Sequence, residues 1–224
     1  MASPRPVDVS ELQTLMARHL PHYRARPPHY QAEMLSSLLE LGLAQVTRLL
    51  DVGGGTGIIA EAMHSLMPGA RIVSIDLVDR FCTGLSVETK QYDGRNIPFA
   101  DEEFDAATFN NVMHHVPVDA RVALLREVRR VVDGPVYIKD HLGGTAISNL
   151  KLTLLDAIGN IPFGGMIEAS YLSQQDWEVL AAASGYRIGA MAPERRYRRG
   201  VMKALFPNRL EISLRLDPVW GHRR

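Results

Sequence analysis

Hydrophobic residues along this chain follow two alternating patterns. Short, nearly continuous apolar runs, such as LLDV at Leu49–Val52, IVSI at Ile72–Ile75 and VYI at Val136–Ile138, are separated by longer stretches with apolar residues every three or four positions. The runs read as buried strands and the stretches as helices packed on them. On this basis strands are predicted at Arg48–Val52, Arg71–Asp76, Lys90–Asp93, Phe104–Asn110 and Pro135–Asp140. Helices are predicted at Gly57–Met67, Asp79–Val87 and Asp119–Val132. Strand and helix in regular alternation make a parallel sheet with helices on both faces.

The flanks are more helical. Val9, Leu12, Leu15, Met16 and Leu20 keep helical spacing, Pro21, Pro27 and Pro28 interrupt it, and a second helix runs from Tyr30 to Leu41, closed by Gly42. After His141 a helix carries Ile147, Leu150, Leu154, Leu155 and Ile158 on one face, and another opens at Ser173 and ends at Gly185. GNIPFGGMIEASY between them reads equally as a shaped loop over a pocket and as a plain connector. Tyr186–Met191 and Leu210–Leu216 suit two final strands.

Composition narrows the class. A chain of 224 residues, 46% hydrophobic and 22% charged, suits one globular domain. Its 25 basic and 25 acidic residues cancel, which argues against broad binding to nucleic acid or anionic membranes. Cys82 is the sole cysteine, so no intrachain disulfide is expected. No apolar run reaches the ~18 residues of a membrane span, and MASPRPVDVS has no apolar signal core. A cytoplasmic protein is the expectation.

The chemistry concentrates at LLDVGGGTGIIAEAM. An apolar run ends in Asp51, and Gly53, Gly55 and Gly57 follow at alternate positions just before a helix. Glycines permit positive φ and let a ligand approach bare backbone. The helix start offers unpaired N–H groups. Asp76 closes the next strand, 19 residues after Gly57, where a carboxylate can take both ribose hydroxyls. Two cofactor classes use such a layout. GTGIIA fits the permissive dinucleotide form of NAD, whereas Asp51 beside the loop would repel a pyrophosphate and suits S-adenosylmethionine.

The run Asp51-Val52-Gly53-Gly54-Gly55-Thr56-Gly57 resembles the first motif of the class I S-adenosylmethionine-dependent methyltransferases. Asp93, the Ile97-Pro98-Phe99 turn, Phe104-Asp105, Asn110-Asn111 and His114-His115 follow in that family's order, so the resemblance covers Tyr30 to Asp140. It implies an α/β, doubly wound, mostly parallel seven-stranded Rossmann-like sheet with an antiparallel edge strand and a helical cap. It implies a helical lid over residues 1–42, the main domain over 43–224, and an insert near 142–172 above the active site. The implied cofactor is S-adenosylmethionine, bound by Asp51, Gly53, Gly55, Gly57, Asp76, Leu77, Asp93, Gly94, Asn110 and Asn111. Asp93 would meet the adenine amino group and Tyr30 would close on the methionine moiety. Of the two histidines, the first helps shape the cofactor pocket and the second packs.

His141 and His114 are the candidate catalytic bases, since imidazole suits proton abstraction near neutral pH. A metal built from Asp105, Asp140 and His141 is not expected, because Asp105 sits at the wrong end of its strand. The N/D-P-P-Y/F motif of base and glutamine amide methylation is absent: the chain has Asn111-Val112-Met113-His114. RRYRR at residues 195–199 reads first as a solvated edge and second as an anion-binding rim. The expected reaction is methylation of a small, mostly apolar metabolite on oxygen, with no nucleic-acid partner. N- or C-methylation, a macromolecular acceptor and NAD-dependent redox chemistry are the alternatives.

Overall fold

The computed structural model describes residues 6–160, 169–198 and 200–219. Its seven strands are β1 (Arg48–Val52), β2 (Arg71–Asp76), β3 (Glu88–Gln91), β4 (Ala106–Asn110), β5 (Val136–His141), β6 (Tyr186–Met191) and β7 (Glu211–Pro218). They form one sheet in the order β3-β2-β1-β4-β5-β7-β6. The first five are parallel, and β7 runs antiparallel to both β5 and β6. Strand order reverses between β1 and β4, so a crevice opens there at the carboxyl ends of the strands.

Side-chain alternation along the strands feeds two cores. Leu50, Val73, Phe109 and Ile138 point to one face, under α4 (Arg121–Val131) and α6 (Gln174–Ala183), where Trp177 and Leu125 are fully buried. Leu49, Ile72 and Tyr137 point to the other face, beneath α1 (Val9–His19), α2 (His29–Glu40) and α3 (Ile58–Leu66). Caps fix the helix starts. Asp8 accepts from the Ser10 and Glu11 amides at 2.8 and 3.0 Å. Ser173, the expected cap, forms a reciprocal capping box with Asp176.

Three expectations change. Asp79–Val87 is a loop. Its polar groups bond outward instead of along a helix: the Cys82 amide to the Thr56 carbonyl at 2.9 Å, the Ser86 amide to Glu61 at 2.7 Å. Gly84, at φ 73°, further opposes a helical turn. The third strand lies at Glu88–Gln91, because its pairing with β2 ends at Asp76 opposite Gln91, and Asp93 falls in the turn beyond. On α5 (Ala146–Asn160), Ile147, Leu150 and Leu154 are exposed and Leu152 is the fully buried residue, packed with Tyr171 and Leu210; Ile158 lies where only backbone is described. Leu12 and Met16, which an apolar stripe on α5 would need as a partner if the insert closed against the first helix, are buried against the cluster of α2 and α3, so α1 and the α5 stripe do not cover each other. A short helix the pattern did not reveal, α7 (Gly200–Leu205), precedes β7. Most of the loop expected over a pocket, residues 161–168, lies outside the described residues.

Candidate active site

The glycine loop leaves β1 with Gly53, Gly55 and Gly57 at φ 74°, 59° and 77°, the left-handed region where a side chain is strained. The Gly53 and Gly54 amides donate to the Ile75 carbonyl at 2.8 and 3.0 Å, which binds the loop to the end of β2. Gly54, outside the alternating glycines, is the most constrained position. A Cβ there would lie 1.8 Å from the Ser74 hydroxyl and 2.8 Å from the Asp51 carboxylate. Gly57 caps α3, and a Cβ on it would strike Leu85 at 2.5 Å.

Asp51 faces inward. Its carboxylate accepts from Ser74 Oγ at 2.9 Å, Thr108 Oγ1 at 2.8 Å and Asn110 Nδ2 at 3.1 Å, with 1% of its surface exposed. Burial raises its pKa above the ordinary carboxyl value, against the opposing pull of those three hydrogen bonds. Asp51 therefore ties β1, β2 and β4 together at the crevice. Ser74 and Thr108 were missed by the sequence reading. Their signal was a hydroxyl inside each of two otherwise apolar strands.

The second predicted group forms one rim. Asp76 accepts from the Gly55 amide at 2.7 Å and from the Val78 amide at 3.1 Å. Leu77 and Gly94 are adjacent: a Cβ on Gly94, at φ 80°, would lie 2.9 Å from Leu77 Cδ2. Asp93 is exposed and turns on its own loop, accepting from the Arg95 and Asn96 amides and from Asn96 Nδ2 at 2.7–2.9 Å. Hydrogen bonds from the Asn96 amide first, then from its side chain and Arg95, hold the Asp93 pKa down at about 2.

Asn110 and Asn111 end β4 and face different neighbours. The Asn110 amide nitrogen is used on Asp51, which leaves its Oδ1 buried with no hydrogen-bond partner. Asn111 takes φ 58°, a conformation asparagine tolerates better than most residues, and its Oδ1 accepts from the Tyr30 hydroxyl at 2.8 Å. Tyr30 thus reaches from α2 to the end of β4. Burial first, and then the nearby Glu211 carboxylate, raise its pKa well above that of a free phenol.

Two acid–imidazole pairs meet at the end of β5. His114 Nδ1 bonds Asp140 Oδ1, and both side chains are fully buried. The same Asp140 oxygen accepts the His141 amide at 2.7 Å. Burial alone would raise the Asp140 pKa, but the His114 and His141 charges and the hydrogen bonds outweigh it and hold it below its usual value. The His141 ring centroid lies 5.0 Å from that of His114, and its Nδ1 is 3.4 Å from Glu211 Oε2. Glu211, opposite His141 in the β5–β7 register, also pairs with Lys139 and Arg198 and accepts from the Tyr197 hydroxyl at 3.1 Å. Those cations, with His141, hold its pKa far below the usual carboxyl range against the opposing effect of burial. A cavity of about 190 Å³ lies beside this group, lined by Tyr30, Lys139, Tyr197, Arg209 and Glu211 among others.

The structure brings His114, His141, Asn111 and Tyr30 together, and separately the glycine loop with Asp76, Leu77, Asp93 and Gly94. It differs from expectation at the paired histidines: His114 is the buried member and His115 is half-buried. Two of the four arginines in the basic run are engaged within the chain. Arg195 pairs with Glu40 at 2.5 Å and Arg198 with Glu211, so they do not form a free anion rim. Asp105 pairs with Arg48 near the start of β4, away from the crevice. Glu211 and Lys139 were not singled out from sequence, because nothing local joins residues so far apart in the chain.

Comparison with known proteins bears on the family and the fold. Residues 50–135 match the family model described as a methyltransferase domain. A ubiquinone/menaquinone biosynthesis C-methyltransferase from Desulfotalea psychrophila is 32% identical over 92 residues, 38% of this chain and 37% of that protein. A malonyl-[acyl-carrier protein] O-methyltransferase from Geobacter sulfurreducens is 26% identical over 165 residues, 69% of this chain and 61% of that protein. The matches therefore span less than two thirds of either relative's length. A magnesium protoporphyrin IX methyltransferase from Synechocystis, solved with bound SAH, superposes with a TM-score of 0.57 at 16% identity over 88% of this chain and 87% of that one, a likeness of fold.

Proposed function

We propose that this chain, a class I S-adenosylmethionine-dependent methyltransferase in its fold and over residues 50–135, methylates an oxygen of a small, mostly apolar molecule. Its residues fit the cofactor. The buried Asn110 Oδ1 has no partner and is an acceptor suited to an amino group. Asp76 keeps acceptor capacity for ribose hydroxyls after taking two amides. Leu77, Asp93 and Gly94 form the rim for the adenine, and the left-handed glycines leave the backbone of residues 53–57 open to close approach. Bound there, S-adenosylmethionine supplies an already activated methyl group.

The protein's own task is then alignment, exclusion of water and proton removal. The observation that carries the oxygen reading is the pairing of His114 with Asp140 and of His141 with Glu211 beside the crevice. A carboxylate that takes Nδ1–H leaves Nε2 as the acceptor nitrogen of the ring. That is the equipment for a nucleophile that loses a proton, such as a phenol or an alcohol. Tyr30, held on Asn111, borders the crevice from α2, a helix packed into the second core. A carbon acceptor is the second reading. The relative named as a C-methyltransferase supports it, and an acidic C–H needs the same base.

Calorimetry tests the cofactor: S-adenosylhomocysteine should bind at micromolar concentration, and binding of NAD alone would overturn the assignment. Label transfer from S-adenosyl[methyl-³H]methionine to a panel of phenols, carboxylic acids, 1,3-dicarbonyls and primary amines tests the acceptor. Oxygen acceptors should be labelled first. Label in amines only would remove the oxygen reading.

A further inference from the structure

Residues 77–87 carry the chain from β2 to β3 past the glycine loop. Leu85 and Phe81 pack on that loop: a Cβ built on Gly57 would lie 2.5 Å from Leu85 Cδ1 and 3.3 Å from Phe81 Cδ1. The backbone is tied at three points. The Cys82 amide donates to the Thr56 carbonyl at 2.9 Å and the Ser86 amide to Glu61 at 2.7 Å, and the Thr83 carbonyl lies 3.2 Å from His19 Nδ1 on α1. These contacts place the segment without using the side chain of Arg80.

That side chain reaches back to the end of β2. Arg80 Nη2 is 3.8 Å from Asp76 Oδ2, the oxygen that also accepts the Gly55 amide. The same nitrogen lies 4.0 Å from the position of a Cβ on Gly55, and beyond the chain neighbours of Gly55 no other described atom comes within that distance. At 3.8 Å the contact is an ion pair without a hydrogen bond, with 36% of the Arg80 side chain exposed against 8% of Asp76. Asp51 and Asp76 bring two carboxylates to the ends of adjacent strands. Among the described residues Arg80 is the one cation in an ion pair with either.

After taking the Gly55 and Val78 amides, Asp76 keeps lone pairs for further donors. A ribose seated through its hydroxyls needs those lone pairs and the space over Gly55, and Arg80 stands at both. We infer that Arg80 sets the affinity for the cofactor, by competing with the ribose for the Asp76 carboxylate. Cofactor and product share that ribose, so the competition weakens both and speeds release of the product after transfer. The inference rests on the proposed seat of the ribose on Asp76.

Calorimetry of the full chain with S-adenosylhomocysteine tests it. Arg80→Met should bind about two- to fivefold more tightly than the wild type, the span of an ion pair with one exposed partner. The gain should shrink as salt rises, because added ions screen the pair in the wild type. In an Asp76→Asn background Arg80→Met should change nothing, since the partner charge is gone. An unchanged Kd for Arg80→Met, or an equal gain in both backgrounds, would overturn the inference. Weaker binding would also overturn it, by making Arg80 a ligand of the cofactor. Urea unfolding separates a merely structural role. Arg80→Met should be less stable than the wild type without ligand and equal to it when both are saturated with S-adenosylhomocysteine. The same deficit under both conditions would count against competition. Should Arg80→Met fail to unfold cooperatively, Arg80→Gln carries the same expectations. Asp76→Asn with wild-type affinity would end the ribose seat itself, and the inference with it. Weak binding by Asp76→Asn with wild-type binding by Arg80→Met would end the inference alone.

Discussion

At the scale of single residues, the crevice depends on carboxylates doing different work. Asp76 is nearly buried at the end of β2, where it accepts from the loop amides beside Arg80. As it is the proposed ribose acceptor, Asp76→Ala should lower affinity for S-adenosylhomocysteine by about 1.5–3 kcal/mol, a factor of ten to a hundred, with the fold retained. Calorimetry reads this, and an unchanged Kd would place the ribose elsewhere. Gly54→Ala should harm both binding and stability, because the new Cβ displaces Ser74 from Asp51. Glu211 is an acid-stability element. Its folded pKa is depressed, so its contribution is complete above the unfolded carboxyl value of ~4.3 and is lost as pH falls through the lower folded value. Glu211→Gln should cost about 3–5 kcal/mol at neutral pH, since Lys139 and Arg198 stay buried without their counterion. Urea unfolding should then show a smaller further loss of stability between neutral and acid pH than in the wild type.

At the scale of elements, α1 is part of the second core. Leu12 and Met16 are buried with Met63 and Ile58 on α3, the helix that the glycine loop opens into. Met16→Ala should therefore cost about 2–5 kcal/mol in urea unfolding and weaken cofactor binding through α3. A loss confined to turnover would instead mark α1 as a detachable lid. Ser173→Ala removes one half of the α6 capping box and should cost about 1 kcal/mol without touching the site.

For the whole molecule, the crevice at the reversal of strand order lies between elements of both cores, so a ligand there should stiffen the entire fold. Saturation with S-adenosylhomocysteine at about 100 times its Kd should add about 2.7 kcal/mol to the unfolding free energy. A calorimetric melting scan with no upward shift would mean that the ligand binds native and unfolded chain alike.

What the sequence determined by itself was whatever short spans of chain enforce. The apolar runs and the helical spacing set the alternation of strands and helices. Asp51 and the glycines marked the loop, and Asp76 marked the next strand end, because motif and local conformation coincide there. Tertiary structure decided the rest, since those choices join residues far apart. The segment 79–87 lost its helix to hydrogen bonds with Thr56 and Glu61. Asp51 turned inward only because Ser74 and Thr108 arrive beside it in register. Glu211 met His141 only because β7 returns antiparallel along β5. The periodicity of α5 was legible, but an amphipathic stripe specifies a contact and not a partner, and within the described chain Ile147, Leu150 and Leu154 remain exposed.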